Sequence, residues 1–355
     1  MFDKDFFRDK NVLITGHTGF KGTWLSIMLE TLGAQLHGFA LPDSDKTEFF
    51  ADSHISFRSC RYGMMQNYDD ISECISSIAP DIIIHLASHS TLDKNGELTS
   101  YIFDSNVKGA VNLYEAVRKC GHRPKAILTV TSDKCYLNAE SNVGYTEGSP
   151  LGAQDPYSTS KACQELISDC YRKSFFTADK LNVPLATARA SNVIGGGDNN
   201  LSRLFPYLLD CFANGRTAQI RNPEAIRPWQ NVLDVLGGYL TLVEKIYGSD
   251  PSGRFASAFN FGPEEDGFAP VKDIADFLSA EFGNAPYEIT GQSVQVRETN
   301  VLKLDSSKAK SLLDWKPRYS FRDTLKMTAE FKRNVIRSDH GTAAREMIER
   351  YLETV

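Results

Sequence analysis

Short apolar runs alternate with longer amphipathic stretches along the first half of the chain. Asn11–Thr15 is apolar throughout its centre, the pattern of a strand buried on both faces. Trp24, Leu25, Ile27, Met28, Leu29 and Leu32 then recur at helical spacing, and Gly33-Ala34 closes that helix. Gln35–Leu41 and Phe57–Tyr62 predict two further strands, with a helix over Tyr68–Ile78 after them. Asp81–Ser88 is the clearest strand of all. A polar loop to Thr99 follows it, then a long helix over Tyr101–Val117 and a strand over Lys125–Thr131. Leu185–Arg189 predicts a sixth strand, after which the regular alternation ends. Strands and helices in this order predict an α/β fold with a doubly wound parallel sheet, whose ligands bind at the C-terminal ends of the strands. The expected division is a nucleotide-binding lobe over 1–188 that carries the catalytic groups, and a smaller α/β substrate lobe over 189–355 with some chain crossing back. In the second lobe Leu201–Phe212 predicts a helix. Ser338–Val355 is a charged amphipathic helix suited to packing or oligomer contact rather than chemistry.

Composition narrows the setting. A chain of 355 residues, 41% hydrophobic, buries a large core. Its net charge of −6 offers no basic field for nucleic acid and no membrane patch. The charged N-terminus does not resemble a signal peptide, and no apolar run reaches the roughly 20 residues that span a bilayer. The seven cysteines are scattered, odd in number and form no C-x-x-C pair, as expected of reduced thiols in a cytoplasmic protein without a metal site.

Between the first strand and its helix lies Gly16-His17-Thr18-Gly19-Phe20-Lys21-Gly22. Its spacing is G-x-x-G-x-x-G rather than G-x-G-x-x-G. The physical consequences are the same: a tight turn, backbone that approaches a pyrophosphate, and a helix N-terminus aimed at its charge. This is the mark of a Rossmann-like dinucleotide site, with Gly16, His17, Thr18, Gly19, Phe20 and Gly22 as contacts. A ribose-binding acid belongs at the end of the second strand. Asp43 is the first candidate and Asp45 the second, the alternative being two solvated loop acids. No arginine stands between Ala40 and Phe57 to meet a 2′-phosphate, which favours NAD over NADP. Leu86, Ala87 and Ser88 end the fourth predicted strand, and Asn106 on the next helix faces the same ligand.

The chemistry concentrates between Thr129 and Lys161. Ser132, Asp133 and Lys134 leave the end of a predicted strand together, and Tyr157 and Lys161 stand four residues apart on one helix face. A lysine beside a tyrosine lowers the phenol pKa and so supplies a base for an alcohol proton. Glycine turn, Ser132 and Tyr157-x-x-x-Lys161, in this order, resemble the extended short-chain dehydrogenase/reductase family. The resemblance implies that Tyr157 is the base for a sugar hydroxyl, that Lys161 holds the nicotinamide ribose, and that Ser132 binds the reacting oxygen. Asp133 and Lys134 add a second step. Once C4 of a hexose is a ketone, its C5 proton is acidic. A protonated Asp133 can then release the C6 oxygen while a neutral Lys134 takes the C5 proton, and burial pushes both pKa values in the required direction.

A narrower resemblance, covering about residues 10–320, is to bacterial CDP-glucose 4,6-dehydratases. It rests on Gly16–Ser26, Thr131–Tyr136, Asp155–Lys161, Arg189–Asp198 and Ile220–Val232. It implies an NAD-dependent lyase that acts on a nucleotide sugar as a homodimer or homotetramer, with 4-epimerisation or another NDP-hexose as alternatives. A different class of alternative is a non-catalytic dinucleotide-binding protein. The family's substrate contacts would be Asn192 and Arg227, with Arg203, Arg221, Arg297 and His89 beside them; paired arginines suit a diphosphate. Lys303–Trp315 is similar to the family's short closing segment. The family's Gly-Asn-Val and Gly-Asp-Trp are Ser191-Asn192-Val193 and Gly197-Asp198-Asn199 here, and two longer stretches also depart from the pattern. Gly63-Met64-Met65-Gln66-Asn67 replaces Gly-Asp-Ile-Arg-Asp, removing the acid that meets adenine. Ala87-Ser88-His89-Ser90-Thr91-Leu92-Asp93 replaces Ala-Ala-Gln-Pro-Leu-Val-Arg beside nicotinamide and sugar, which leaves the identity of the sugar open.

Overall fold

The computed structural model describes residues 2–42, 47–89, 97–139, 142–248, 253–291, 301–335 and 337–355. Six strands arise where the apolar runs predict them: β1 (Asn11–Thr15), β2 (Gln35–Ala40), β3 (Ser59–Tyr62), β4 (Ile82–His85), β5 (Ala126–Val130) and β6 (Leu185–Ala190). The helices between them are α1 (Phe20–Thr31), the short α2 (Glu48–Ala51), α3 (Tyr68–Ile78), α4 (Thr99–Phe103), α5 (Gly109–Lys119) and α6 (Pro156–Ser174). The long helix expected over Tyr101–Val117 is interrupted by a π-helical turn at Asp104–Lys108, so α4 and α5 are its two halves. After β6 come β7 (Asn192–Ile194), α7 (Leu204–Ala213), β8 (Ala218–Ile220), β9 (Ile226–Asn231) and α8 (Val232–Ile246). The chain ends with β10 (Ala258–Phe261), β11 (Phe268–Pro270), α9 (Val271–Glu281), β12 (Tyr287–Ile289), α10 (Ser307–Leu313), α11 (Phe321–Val335) and α12 (His340–Glu353).

The central sheet has seven strands in the order β10-β6-β5-β4-β1-β2-β3. Every pair in it is parallel, with Val12 opposite both Leu36 and Ile82. The order reverses between β1 and β4, and there the C-terminal ends of neighbouring strands open a crevice for ligands. Both faces are covered. On one, Val12, Ile14, Ile82, Ile84 and Leu128 pack with α1, α8 and α12. On the other, Leu13, Ile83 and Ile127 pack with α3 and α5. The uninterrupted apolar reading of these strands follows from that double burial.

The chain beyond residue 188 serves both lobes. β10 completes the central sheet beside β6, while α8 and α12 cover the face that also holds α1. The second lobe proper has its own core around Phe205, Leu208, Trp229 and Leu278, with a three-stranded sheet β11-β9-β7 and a two-stranded sheet β12-β8. β7 starts two residues after β6 ends, so the second lobe is joined directly to the ligand-binding edge of the first.

Candidate active site

The glycine turn is built by close backbone approach. Gly16 has φ of 76°, and a Cβ there would lie 2.7 Å from the Ala87 nitrogen. A Cβ on Gly22 would lie 2.1 Å from the Gly16 oxygen. Gly19 is different: its added Cβ meets only the Gly16 oxygen, at 3.5 Å, and would project into the open concavity of the turn. Gly19 is also the N-cap of the twelve-residue α1, and no side chain caps that end. A concave turn beneath uncapped helix N–H groups fits a dinucleotide pyrophosphate.

His17, Thr18 and Phe20 belong to this turn, Leu86 and Ala87 meet Gly16 just after β4, and Ser88 follows them. Ala87 N–H donates to Thr15 Oγ1 at 3.2 Å, and Leu86 N–H to the Thr15 carbonyl at 3.0 Å. His17 is fully buried against Phe50 and Phe57. Burial pushes its imidazole down to about 4, so it stays neutral. Asp43 and Arg297, together with Asp45 and Asp93, lie outside the described residues.

Asn106, in the π-helical turn, ties three elements together. Its Oδ1 accepts from His89 N–H at 2.8 Å and from Ser88 Oγ at 3.1 Å, and its Nδ2 donates to the His89 carbonyl at 3.0 Å and to Ser160 Oγ at 2.9 Å. Ser160 in turn donates to the Tyr157 carbonyl at 2.6 Å. Asn106 thus sets the 86–89 loop relative to the first turn of α6. His89 itself lies 5.4 Å from Tyr101, edge to face.

Ser132, Asp133 and Lys134 occupy a single 3₁₀ turn (Asp133–Cys135) after β5, capped by the Ser132 hydroxyl, which accepts Lys134 N–H at 3.2 Å. Ser132 Oγ donates to Asp133 Oδ1 at 3.0 Å, and the other Asp133 oxygen is buried without a hydrogen-bond partner. Burial raises the Asp133 pKa, against opposing pulls from Lys134, Ser132 and Lys21. The lysine ammonium groups of Lys134 and Lys161 lie 5.8 and 5.9 Å from the Tyr157 ring centre. The two motifs therefore meet.

Their electrostatics differ from the expectation in one respect. Lys161 is buried, with Nζ donating to Gln164 Oε1 at 2.8 Å and to the Val130 carbonyl at 3.3 Å. Burial, helped by Lys21, lowers its pKa to about 7. Burial likewise raises Tyr157 to about 12, while Ser132 and Arg203 pull it down. In the protein by itself, desolvation outweighs the depression of the phenol that a charged Lys161 was expected to provide. Lys134, expected to be neutral through burial, is only partly buried.

Behind the Ser132–Lys134 turn stands a buried network that the sequence reading did not single out. Glu165, one turn after Lys161, accepts from Thr131 and Thr187 and pairs with Arg189 at 2.8 Å. Burial alone would raise Glu165, but Arg189 and these donors hold it below the ordinary value. The network locks α6 onto β5 and β6, and so fixes Tyr157 and Lys161 relative to Ser132. Lys21 was also missed. It stands in the glycine turn, close enough to Arg203 and Asp133 to feel both charges, and burial lowers it to about 8. Its signal was visible as the one cation inside a phosphate-binding motif.

The arginines divide. Arg203 stands at the N-terminal boundary of α7 without a side-chain cap, pairs with Asp198 at 2.8 Å and acts electrostatically on Tyr157. Asn192 opens β7, and Arg227 lies on the neighbouring β9, whose Trp229 is opposite Asn192. Arg221 is exposed after β8, on the other small sheet. The described residues that flank 292–300 bracket both: Thr290 N–H donates to Ile220, and Val301 pairs with Ile226. Trp229 is buried and donates to the Ala269 carbonyl at 3.0 Å, so it packs within the second lobe's core.

The sequence model of the GDP-mannose 4,6 dehydratase family matches residues 13–328. The chain belongs to this family. A relative from Salmonella typhimurium, a CDP-glucose 4,6-dehydratase, is 37% identical over 344 residues, covering 96% of this chain and 95% of its own. Among solved structures, a dTDP-glucose 4,6-dehydratase from Bacillus anthracis in complex with NAD superposes with a TM-score of 0.76 at 21% identity, over 92% of this chain and 98% of that one. A UDP-glucose 4-epimerase from Thermotoga maritima with UDP-glucose gives 0.77 at 20% identity, over 92% and 99%. At such identities these two structures speak for the fold alone. They share it across dehydratases and epimerases, so the choice of reaction has to come from the site. No helix among the described residues is long and apolar enough to cross a membrane.

Proposed function

We propose that the protein is an NAD-dependent nucleotide-sugar 4,6-dehydratase that converts CDP-glucose to CDP-4-keto-6-deoxyglucose. The observation that carries the reading is Asp133: a buried carboxyl, its pKa raised by burial, with one oxygen unpartnered beside Tyr157 and Lys134. A simple 4-epimerase needs no such acid. Bound NAD supplies a hydride acceptor for C4 and, later, the donor for C6. Tyr157 takes the C4 hydroxyl proton while Ser132 hydrogen-bonds that oxygen and Lys161 holds the phenolate's charge. Lys134 then removes the C5 proton, and Asp133 delivers its proton to the departing C6 oxygen, so water leaves. Asn192 and Arg227, with Arg203 and Arg221, hold the nucleotide diphosphate. The relative's name supports CDP-glucose, and the altered 87–93 stretch is where another sugar would be admitted.

The same reading places the enzyme in the cytoplasm as a homodimer or homotetramer. No disulfide joins Cys74, Cys120, Cys135, Cys163, Cys170 or Cys211, as a reducing compartment would keep them. Leu166, between Cys163 and Cys170 on α6, is 60% exposed and gives a helix face for a second copy.

The test is incubation with CDP-glucose in deuterated water. A 4-keto-6-deoxy product with deuterium at C5 is expected; epimer formed without solvent deuterium would refute dehydration. Tyr157→Phe should abolish reduction of NAD. Asp133→Asn and Lys134→Ala should retain that first oxidation and lose the elimination, and an Lys134→Ala enzyme of normal turnover would remove Lys134 as the base.

A further inference from the structure

Residues 47–57, which precede β3, lie against the glycine turn. Thr47 gives both its N–H (3.4 Å) and its hydroxyl (2.8 Å) to the Thr18 carbonyl, and Phe50 and Phe57 lie 5.2 and 4.9 Å from the His17 ring. In a doubly wound sheet the adenosine half of a dinucleotide lies on this side, over the ends of β2 and β3. Residues 47–57 therefore wall that half. Their only regular element is α2, four residues long, too short to hold itself.

What holds this wall comes from the other end of the chain. His340, at the start of α12, reaches Asp52 Oδ2 through its backbone N–H at 2.9 Å and through Nδ1 at 2.8 Å. Gly341 N–H donates to the Asp52 carbonyl at 3.2 Å, and a Cβ on Gly341 would stand 2.5 Å from the Ser53 oxygen. Arg345 donates to the Ser53 carbonyl at 2.9 Å and the His54 carbonyl at 3.3 Å, and pairs with Glu30 of α1 at 2.8 Å. His54 itself has φ of 53°, in the left-handed region that few non-glycine residues occupy. Beneath these contacts Ala344, Met347, Ile348 and Tyr351 anchor α12 in the core that holds Trp24. Phe49 of α2 packs between Trp24 (5.5 Å), Phe331 (5.8 Å) and His340 (6.0 Å).

We propose that α12 is a clamp for the adenosine half of the dinucleotide site, with His340 and Arg345 as positioning residues that set the 47–57 wall through Asp52, Ser53 and His54. A wall fixed in advance spares the ligand the cost of ordering it. The expected charged packing helix thus acquires a specific partner in the fold. The inference rests on the proposed function only for the identity of the dinucleotide.

The test uses full-length protein stripped of nucleotide and titrated calorimetrically with NAD, ADP-ribose and CDP. The double variant His340→Ala/Arg345→Ala should bind NAD and ADP-ribose about tenfold more weakly, the effect of some 1.4 kcal/mol, with CDP affinity unchanged. A folded double variant with wild-type ADP-ribose affinity overturns the clamp, as does an equal loss for CDP. If the double variant fails to fold, His340→Gln and Arg345→Lys keep the packing; each should lose ADP-ribose affinity and not CDP affinity, and no loss in either refutes the proposal. A wild-type protein that binds CDP but neither NAD nor ADP-ribose overturns both the clamp and the NAD reading.

Discussion

Tyr157 and Lys161 share one helix face, and burial pushes each of them toward its neutral form. The pair loses its first proton near 7, the value to which burial lowers Lys161, and its second near 12, the value to which burial raises Tyr157. The state with one proton left is the useful one, since it contains the form with tyrosinate and ammonium together. That state gains population as pH rises through about 7 and keeps it until strongly alkaline solution. The rate of NAD reduction in a single turnover should therefore rise between pH 6 and 8 and level off above. Stopped-flow absorbance at the reduced nicotinamide band measures it, and a profile flat over that range would separate the pair's titration from the oxidation step. Sequence spacing brought the two residues onto one helix face. It carried no information on how deeply they are buried, and burial inverts the expected direction for the tyrosine. For Asp133 the expected direction holds, because this strand-end carboxyl is buried, whereas the next residue, Lys134, stands at the same strand end and is only partly buried.

At the scale of elements, the catalytic geometry depends on how α6 begins. Asp155 caps it, accepting Ser158 N–H at 2.9 Å, and Pro156 fills the first helical position, where a missing N–H costs nothing. Tyr157 lies immediately inside this cap. Asp155→Ala should lower stability by about 1 kcal/mol, read as a reduced urea midpoint at unchanged slope, and Asp155→Ser should restore most of it. The frayed first turn should also slow the oxidation step more than it weakens CDP-glucose binding, because the cap holds Tyr157 and not the nucleotide pocket. The Asp155 cap was not singled out in the sequence, whereas the double-sided burial of Ile82–Ile84 is local and was readable. The π-helical turn at Asp104–Lys108 was not: its composition is that of an ordinary helix, and what distinguishes it is Asn106 bonding to both Ser160 and the 88–89 loop. Nor could periodicity foresee the partner of α12, since its apolar stripe specifies a covered face without saying what covers it.

Across the whole molecule, the late segments of the chain are tied to the central sheet at Asp234, in the first turn of α8. Its carboxylate accepts Arg318 N–H at 3.0 Å and Tyr319 N–H at 3.1 Å, while its carbonyl accepts Trp315 Nε1–H at 3.0 Å. α8 packs on the sheet and Trp315 in the same core, so this junction fixes where the chain turns toward α11 and α12. Burial raises the Asp234 pKa to about 7, with the two backbone donors pulling the other way. The folded protein therefore holds a proton there that the unfolded chain, titrating near 4, releases. The sign follows: the stabilising effect of this protonation is complete below about pH 4, shrinks as pH rises, and is gone above about 7. Measured against Asp234→Asn, which cannot titrate, the wild type should lose relative stability steadily between pH 4 and 7 and hold a constant difference at higher pH. Chemical denaturation of both proteins across that range gives the difference directly, free of the many carboxylates they share. A difference independent of pH would mean that the two backbone N–H groups, rather than burial, set the protonation of this carboxyl. The junction would then rest on a permanent buried carboxylate.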